Sequence, residues 1–315
     1  MNKLRILDCT LRDGGLTNNF FFDDSFVRDL YRTNVEAGVA YMEMGYRASR
    51  DVFKESDFGK WKFCDEEVIR EIVGDNPTQM KLSVMADVGR TNFERDILPK
   101  KDSVLDMIRI ATYSHTIDEA IDAVEHCHNL GYETTVNIMA ISNDAQQTIA
   151  SVLEKLAASS VDVVYLVDSF GAFYPHQVAA LSRQYAEAVL PEGKQVGIHA
   201  HNNQQLAFAN TIEGMRNGVS LLDVTINGLG RGAGNCSAEL LAGYLMGQGV
   251  PCKQEPLIRF IEKHMLALKE EGVVWGYDIP YLLTGQGNHH PSKAIEFIKD
   301  CRTQYTDLLR ELAVQ

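Results

Sequence analysis

"DVVYLVDSF", Asp162 to Phe170, is apolar at five successive positions, Val163 to Val167, and closes on Asp168 and Ser169. A strand with one wet face would alternate, so a run apolar at both parities must be covered on both sides. Parallel strands lying under helices have that character. Seven further runs share it: "RILDCTL", "AYMEMGY", "KLSVMAD", "MIRIATY", "TTVNIMAI", "QVGIHAH" and "LLDVTINGL". Amphipathic stretches separate them, among them "TIDEAIDAVEHCHNLG" (Thr116–Gly131), which stops on a glycine, and "AQQTIASVLEKLAAS" (Ala145–Ser159). Strand and helix alternating eight times over roughly 250 residues predict a (β/α)8 TIM barrel. A doubly wound open sheet is the competing arrangement.

From about Val250 the pattern changes to "EPLIRFIEKHMLALKEEG" and a turn-rich piece leading to another helix. The expected organisation is a catalytic barrel over 1–250 and a small C-terminal helical extension over 251–315, packing near the barrel mouth. The loop "RASRDVFKESDFGKWKFC" (Arg47–Cys64) follows the second strand and reads as a lid or an insertion.

Composition narrows the function. The 315 residues are 45% hydrophobic and 23% charged, as in ordinary globular chains, with a formal net charge of −13. That charge, without a basic cluster, argues against nucleic acid as a partner. Six scattered cysteines with no CxxC pair give no zinc or redox motif. No apolar run reaches membrane-spanning length, and "MNKLRILDCT" lacks a signal-peptide core, so a cytoplasmic location is expected.

The chemistry concentrates at strand ends. In "VGIHAHNN", His199 and His201 share one parity while Val196, Ile198 and Ala200 take the other, so the imidazoles face the barrel interior near its C-terminal rim. Two neutral imidazoles there suit a divalent metal, and a hydrogen-bonded rim pair is the plainer alternative. Asp13, at the end of the first strand, would complete a carboxylate–imidazole set with positions open for substrate. Asn235, closing "NGLGRGAGN" after the last strand, is a candidate fourth ligand. That glycine loop loosely matches a dinucleotide fingerprint, but it sits on the eighth strand with no second βαβ unit following. Arg12 beside Asp13 is either an oxyanion stabiliser or an ordinary salt-bridge partner. Glu43, Asp168 and Ser169 also fall at strand ends, as polar terminators or as site residues.

"DCTLRDGG", "HAHNN" and "GLGRGAGN", in that order, resemble the DRE-TIM metallolyase superfamily over roughly the first four-fifths of the chain. That superfamily includes the 3-hydroxy-3-methylglutaryl-CoA lyases, the isopropylmalate and homocitrate synthases and the 4-hydroxy-2-oxovalerate aldolases. "LRDG" and the short "GAGN" loop lean toward the aldolase branch, and the thiol of the lyase loop is absent. The resemblance implies Asp13, His199, His201 and Asn235 as metal ligands, with Mn²⁺ preferred and Mg²⁺ or Zn²⁺ acceptable. It implies Arg12 on the enolate of a 2-oxo acid such as pyruvate, Ser169 near its carboxylate, and an aldehyde as second substrate. A homo-oligomer and a dehydrogenase partner occur among such relatives. Where the aldolases carry a histidine base soon after the arginine–aspartate pair, this chain has Gly14, Gly15, Leu16 and Thr17. His290, Tyr46 and Glu43 are the candidate replacements, and "TGQGNHHPSKA" is expected to fold over the mouth. Competing functions are an acyl-CoA-dependent Claisen synthase, a barrel acting only as a binding partner, and a non-haem iron oxygenase.

Overall fold

The computed structural model describes residues 4–313, and the eight apolar runs form its eight strands. They are β1 (Arg5–Asp8), β2 (Tyr41–Tyr46), β3 (Lys81–Asp87), β4 (Met107–Thr112), β5 (Glu133–Ile138), β6 (Val163–Asp168), β7 (Gln195–Ala200) and β8 (Leu221–Val224). Each pairs in parallel with the next and β8 returns to β1, which closes a barrel and excludes the open sheet.

β6 shows how the apolar run becomes two layers. Val164 and Leu166 face the core shared with the helices, while Val163, Tyr165 and Val167 fill the barrel with Leu7, Tyr41, Met107 and Leu221. Both parities are buried, so neither has a reason to be polar. Gly197 on β7 serves this interior, since a Cβ there would stand 2.5 Å from the Tyr165 ring. The ring can therefore cross the barrel, and the Arg109 guanidinium lies 4.5 Å from its centroid.

One local expectation changes. β1 stops at Asp8, and Thr10–Asn18 is a helix carrying Arg12, Asp13, Gly14 and Gly15, where Asp13 was expected at the end of the strand itself. The Asp8 carboxylate accepts from the Thr10 hydroxyl and the Asn34 amide, which turns the chain out of the sheet. Glycine is a poor helix former. Here it is demanded, because Cβ atoms at Gly14 and Gly15 would lie 2.6 Å from Leu229 and 2.1 Å from Phe20. The loop Arg47–Cys64, read from the sequence as a lid or an insertion, contains short 3₁₀ turns at Glu55–Asp57 and Lys60–Lys62, and Trp61 and Lys62 are buried.

The C-terminal helices divide between two places. Glu255–Phe260, continued by a π turn at Ile261–Met265, packs on the flank, with Phe260 edge-on to Phe26 at 5.2 Å. Further on, the Trp275 indole donates to the Asn227 carbonyl, and Tyr281 packs on Ala233 of the loop after β8. This later piece lies over the C-terminal end of the barrel. Among the described residues no helix is long and apolar enough to cross a membrane. All six cysteines are free thiols, four of them buried.

Candidate active site

Three elements converge at the C-terminal rim. Asp13 comes from the helix after β1 and His199 from β7. His201 lies one residue past β7, in an antiparallel bridge with Asn235. Ligand atoms of Asp13, His199 and His201 all lie within 4.8 Å of one another, and all three residues are buried. The Nε2 atoms of His199 and His201 stand 3.7 and 3.9 Å from Asp13 Oδ2. That is too long for hydrogen bonds but suits donors that face a shared ion. The Asn235 amide nitrogen donates to Asp13 Oδ2, leaving Asn235 Oδ1 buried without a partner. A half-turn of that amide would bring its oxygen to the same point.

Electrostatics prepare the donor set. Burial alone would raise the Asp13 carboxyl, but Arg12, His201 and His199 outweigh it and hold the group well below the usual carboxylate range. Burial pushes His201 down to about 3 against the pull of Asp13, so its ring is neutral with a lone pair free. An ionised carboxylate and two imidazoles fit a divalent transition metal.

Behind these groups runs a closed ring of charge that sequence reading did not find. Arg12 Nε donates to Glu43 at 2.8 Å, and Arg109 Nη1 meets the same oxygen at 2.9 Å. Arg109 Nη2 donates to Asp223 at 2.6 Å, and Asp223 holds His199 Nδ1 at 3.0 Å. Asp13, 3.2 Å from Arg12 Nη1, completes the circuit. Arg109 and Asp223 had only one sequence signal, a charge at a strand position that the apolar pattern buries. Their role is positional: Asp223 fixes the His199 tautomer so that Nε2 faces Asp13. Asp223→Asn is expected to weaken metal binding about 10- to 100-fold, read by metal titration. Unchanged affinity would mean that His199 is oriented by other contacts.

The remaining candidates are less tightly gathered. Tyr46 ends β2 with its ring centroid 6.0 Å from the Arg12 guanidinium, and burial pushes its hydroxyl well above the usual range. Glu43 is fully buried, with Oε2 taken by both guanidiniums. The Ser169 hydroxyl oxygen accepts the Ala140 amide at 2.9 Å, tying the loops after β5 and β6 together. His290 lies against residues of the loops after β6 and β8: its ring is 6.0 Å from Phe170, and Nε2 is 3.3 Å from Arg231 Nη1. Burial first, then Arg231, lowers its pKa and favours the neutral ring. Its neighbour His289 is turned away to the Leu312 carbonyl.

The sequence pattern of the HMGL-like family matches residues 3–257. The chain belongs to the HMGL-like family. Among HMGL-like relatives, a 4-hydroxy-2-oxovalerate aldolase of Nocardia farcinica is 31% identical over 243 residues, covering 76% of this chain and 68% of that one. An oxaloacetate decarboxylase of Mycobacterium tuberculosis is 29% identical over 248 residues, covering 78% and 70%. The N-terminal domain of a Bacteroides vulgatus protein assigned as an aldolase superposes with a TM-score of 0.79 at 28% identity, covering 94% of this chain and 96% of that domain. These likenesses support a lyase of the DRE-TIM type.

Proposed function

We propose that the protein is a divalent-metal-dependent carbon–carbon lyase of the class II aldolase type, acting next to a 2-oxo acid through its enolate. The observation that carries this reading is the buried triad of Asp13, His199 and His201 with Arg12 against Asp13 at 3.2 Å. The relatives' names, an aldolase and a decarboxylase, both describe breaking a bond at the carbon beside a 2-oxo group.

In the cleavage direction the C4 hydroxyl loses its proton and the C3–C4 bond breaks. An aldehyde departs, and the electron pair stays on the three-carbon fragment as an enolate, which takes up a proton to give pyruvate. A metal held by Asp13, His199 and His201, with Asn235 as a fourth donor, would supply Lewis acidity at the 2-oxo group, Mn²⁺ being well suited to mixed nitrogen and oxygen donors. Arg12 spends Nε and Nη1 on Glu43 and Asp13, which leaves Nη2 to donate to the developing oxyanion. The Ser169 hydroxyl, whose oxygen is fixed by the Ala140 amide, can still donate its own proton to the substrate carboxylate.

Proton transfer at C4 falls to His290. Tyr46 stays protonated at neutral pH and so cannot take the proton, while Glu43 is committed to holding two guanidiniums. A neutral imidazole at the mouth has the right basicity. His290→Ala is expected to lower aldol cleavage about a hundredfold, read as pyruvate release. Undiminished cleavage would remove His290 from this role.

The function itself is tested without an aldehyde. Exchange of the pyruvate methyl protons in D₂O should require Mn²⁺ and stop with a chelator. Condensation dependent on acetyl-CoA, with no exchange, would move the assignment to the synthases.

A further inference from the structure

Four aromatic rings surround one ammonium beside the site. Lys62 Nζ lies 4.1 Å from the ring centroid of Phe53, 4.3 Å from Tyr46, 5.2 Å from Phe20 and 5.5 Å from Phe58. The residue is only 6% exposed. Among the described residues its nitrogen makes neither a hydrogen bond nor an ion pair, and it is not one of the sealed polar atoms. Aromatic faces hold a cation but do not saturate its donors, so three N–H groups stay available. Burial pushes the ammonium down to about 8 against the pull of Asp87, with Arg90 adding to the fall. It is therefore mostly charged at neutral pH, and a bound anion would stabilise it further.

The cage adjoins the reaction centre. Tyr46 is common to both, since the ring that contacts Lys62 also lies 6.0 Å from the Arg12 guanidinium. Asp87, at the end of β3, is the acid facing this gap; burial raises its carboxyl, and its Oδ1 has no partner. The deeper cations are already neutralised, Arg12 by Asp13 and Glu43, and Arg109 by Glu43 and Asp223. In a chain of net charge −13, an uncommitted buried cation one aromatic ring away from Arg12 marks where a ligand brings negative charge.

We propose that Lys62 and its aromatic cage form the subsite for an anionic group, carboxylate or phosphate, on the part of the substrate remote from the 2-oxo acid. The inference rests on the enolate chemistry above and narrows it: the substrate carries two anionic ends, and its departing fragment is a charged aldehyde. A methyl terminus, as in 4-hydroxy-2-oxovalerate, would leave the ammonium unanswered.

Cleavage of three substrates tests this. They are 4-hydroxy-2-oxovalerate, 4-hydroxy-2-oxoglutarate and 2-oxo-3-deoxy-6-phosphogluconate, ending in a methyl, a carboxylate and a phosphate. The wild-type protein should prefer one of the charged substrates over the neutral one by at least about tenfold in kcat/KM, the worth of a hydrogen bond to a charged group. Which one it prefers distinguishes carboxylate from phosphate. Lys62→Met should erase that ratio and Lys62→Arg should keep it. Because the ratio is read within one preparation, it does not depend on the folded fraction. No preference in the wild type, or the same ratio in Lys62→Met, overturns the subsite; a lysine that merely stapled the loop would lower all rates together. Pyruvate exchange in the wild type separates the two claims, since exchange without charge preference sinks the subsite alone. Absence of exchange sinks the enolate reading, and calorimetric binding of the charged substrates to wild type and Lys62→Met then decides the subsite.

Discussion

Alanine at His199 is expected to cost more than a hundredfold in metal affinity and about a thousandfold in pyruvate proton exchange. The first figure exceeds what losing a supporting group costs, because Nε2 would be a direct ligand. The second follows from removing several kcal/mol of charge stabilisation at the oxygen of the enolate. The deletion leaves the Arg109–Asp223 ion pair, at 2.6 Å, in place, so the barrel interior keeps that contact. Metal titration and D₂O exchange read the two effects. Wild-type metal affinity in His199→Ala would remove the ion from this position and the proposed chemistry with it.

Arg12→Lys should lose about 10²- to 10³-fold in turnover while metal content and melting temperature stay close to wild type. Arginine here spends Nε on Glu43 at 2.8 Å and Nη1 on Asp13 at 3.2 Å, which leaves Nη2 uncommitted. A single ammonium keeps the charge but not the fork, and it would settle between the two carboxylates. The donor lost is the one proposed for the oxyanion, and losing one such donor costs about that factor. Wild-type turnover in Arg12→Lys would leave Arg12 as a salt-bridge partner only.

The barrel was legible because its strands are buried on both sides, and β6 states this in five consecutive apolar residues. The histidine pair was legible for the complementary reason: Ile198 and Ala200 pack outward, so His199 must face in. What periodicity could not reach was contact between distant strands. Glu43, Arg109 and Asp223 come from β2, β4 and β8 and meet only when the barrel closes. The helix at Thr10–Asn18 was hidden by its two glycines, whose presence answers Leu229 and Phe20, both outside the helix. Lys62 was hidden in a loop whose polar letters gave no hint that Trp61 beside it is fully buried.

The placement of the aromatic cage has an evolutionary consequence. The groups that make and hold the enolate belong to β2, β7 and the segments that follow β1, β6 and β8, whereas three of the five residues of the cage (Phe53, Phe58 and Lys62 itself, but not Phe20 or Tyr46) sit within one stretch of ten positions after β2. Inheritance of the reaction and inheritance of the substrate are thereby uncoupled. A duplicated gene could exchange that one segment and acquire a new clientele without disturbing a single ligand to the ion. A laboratory graft of the same segment onto a related barrel would ask for the same outcome in one step.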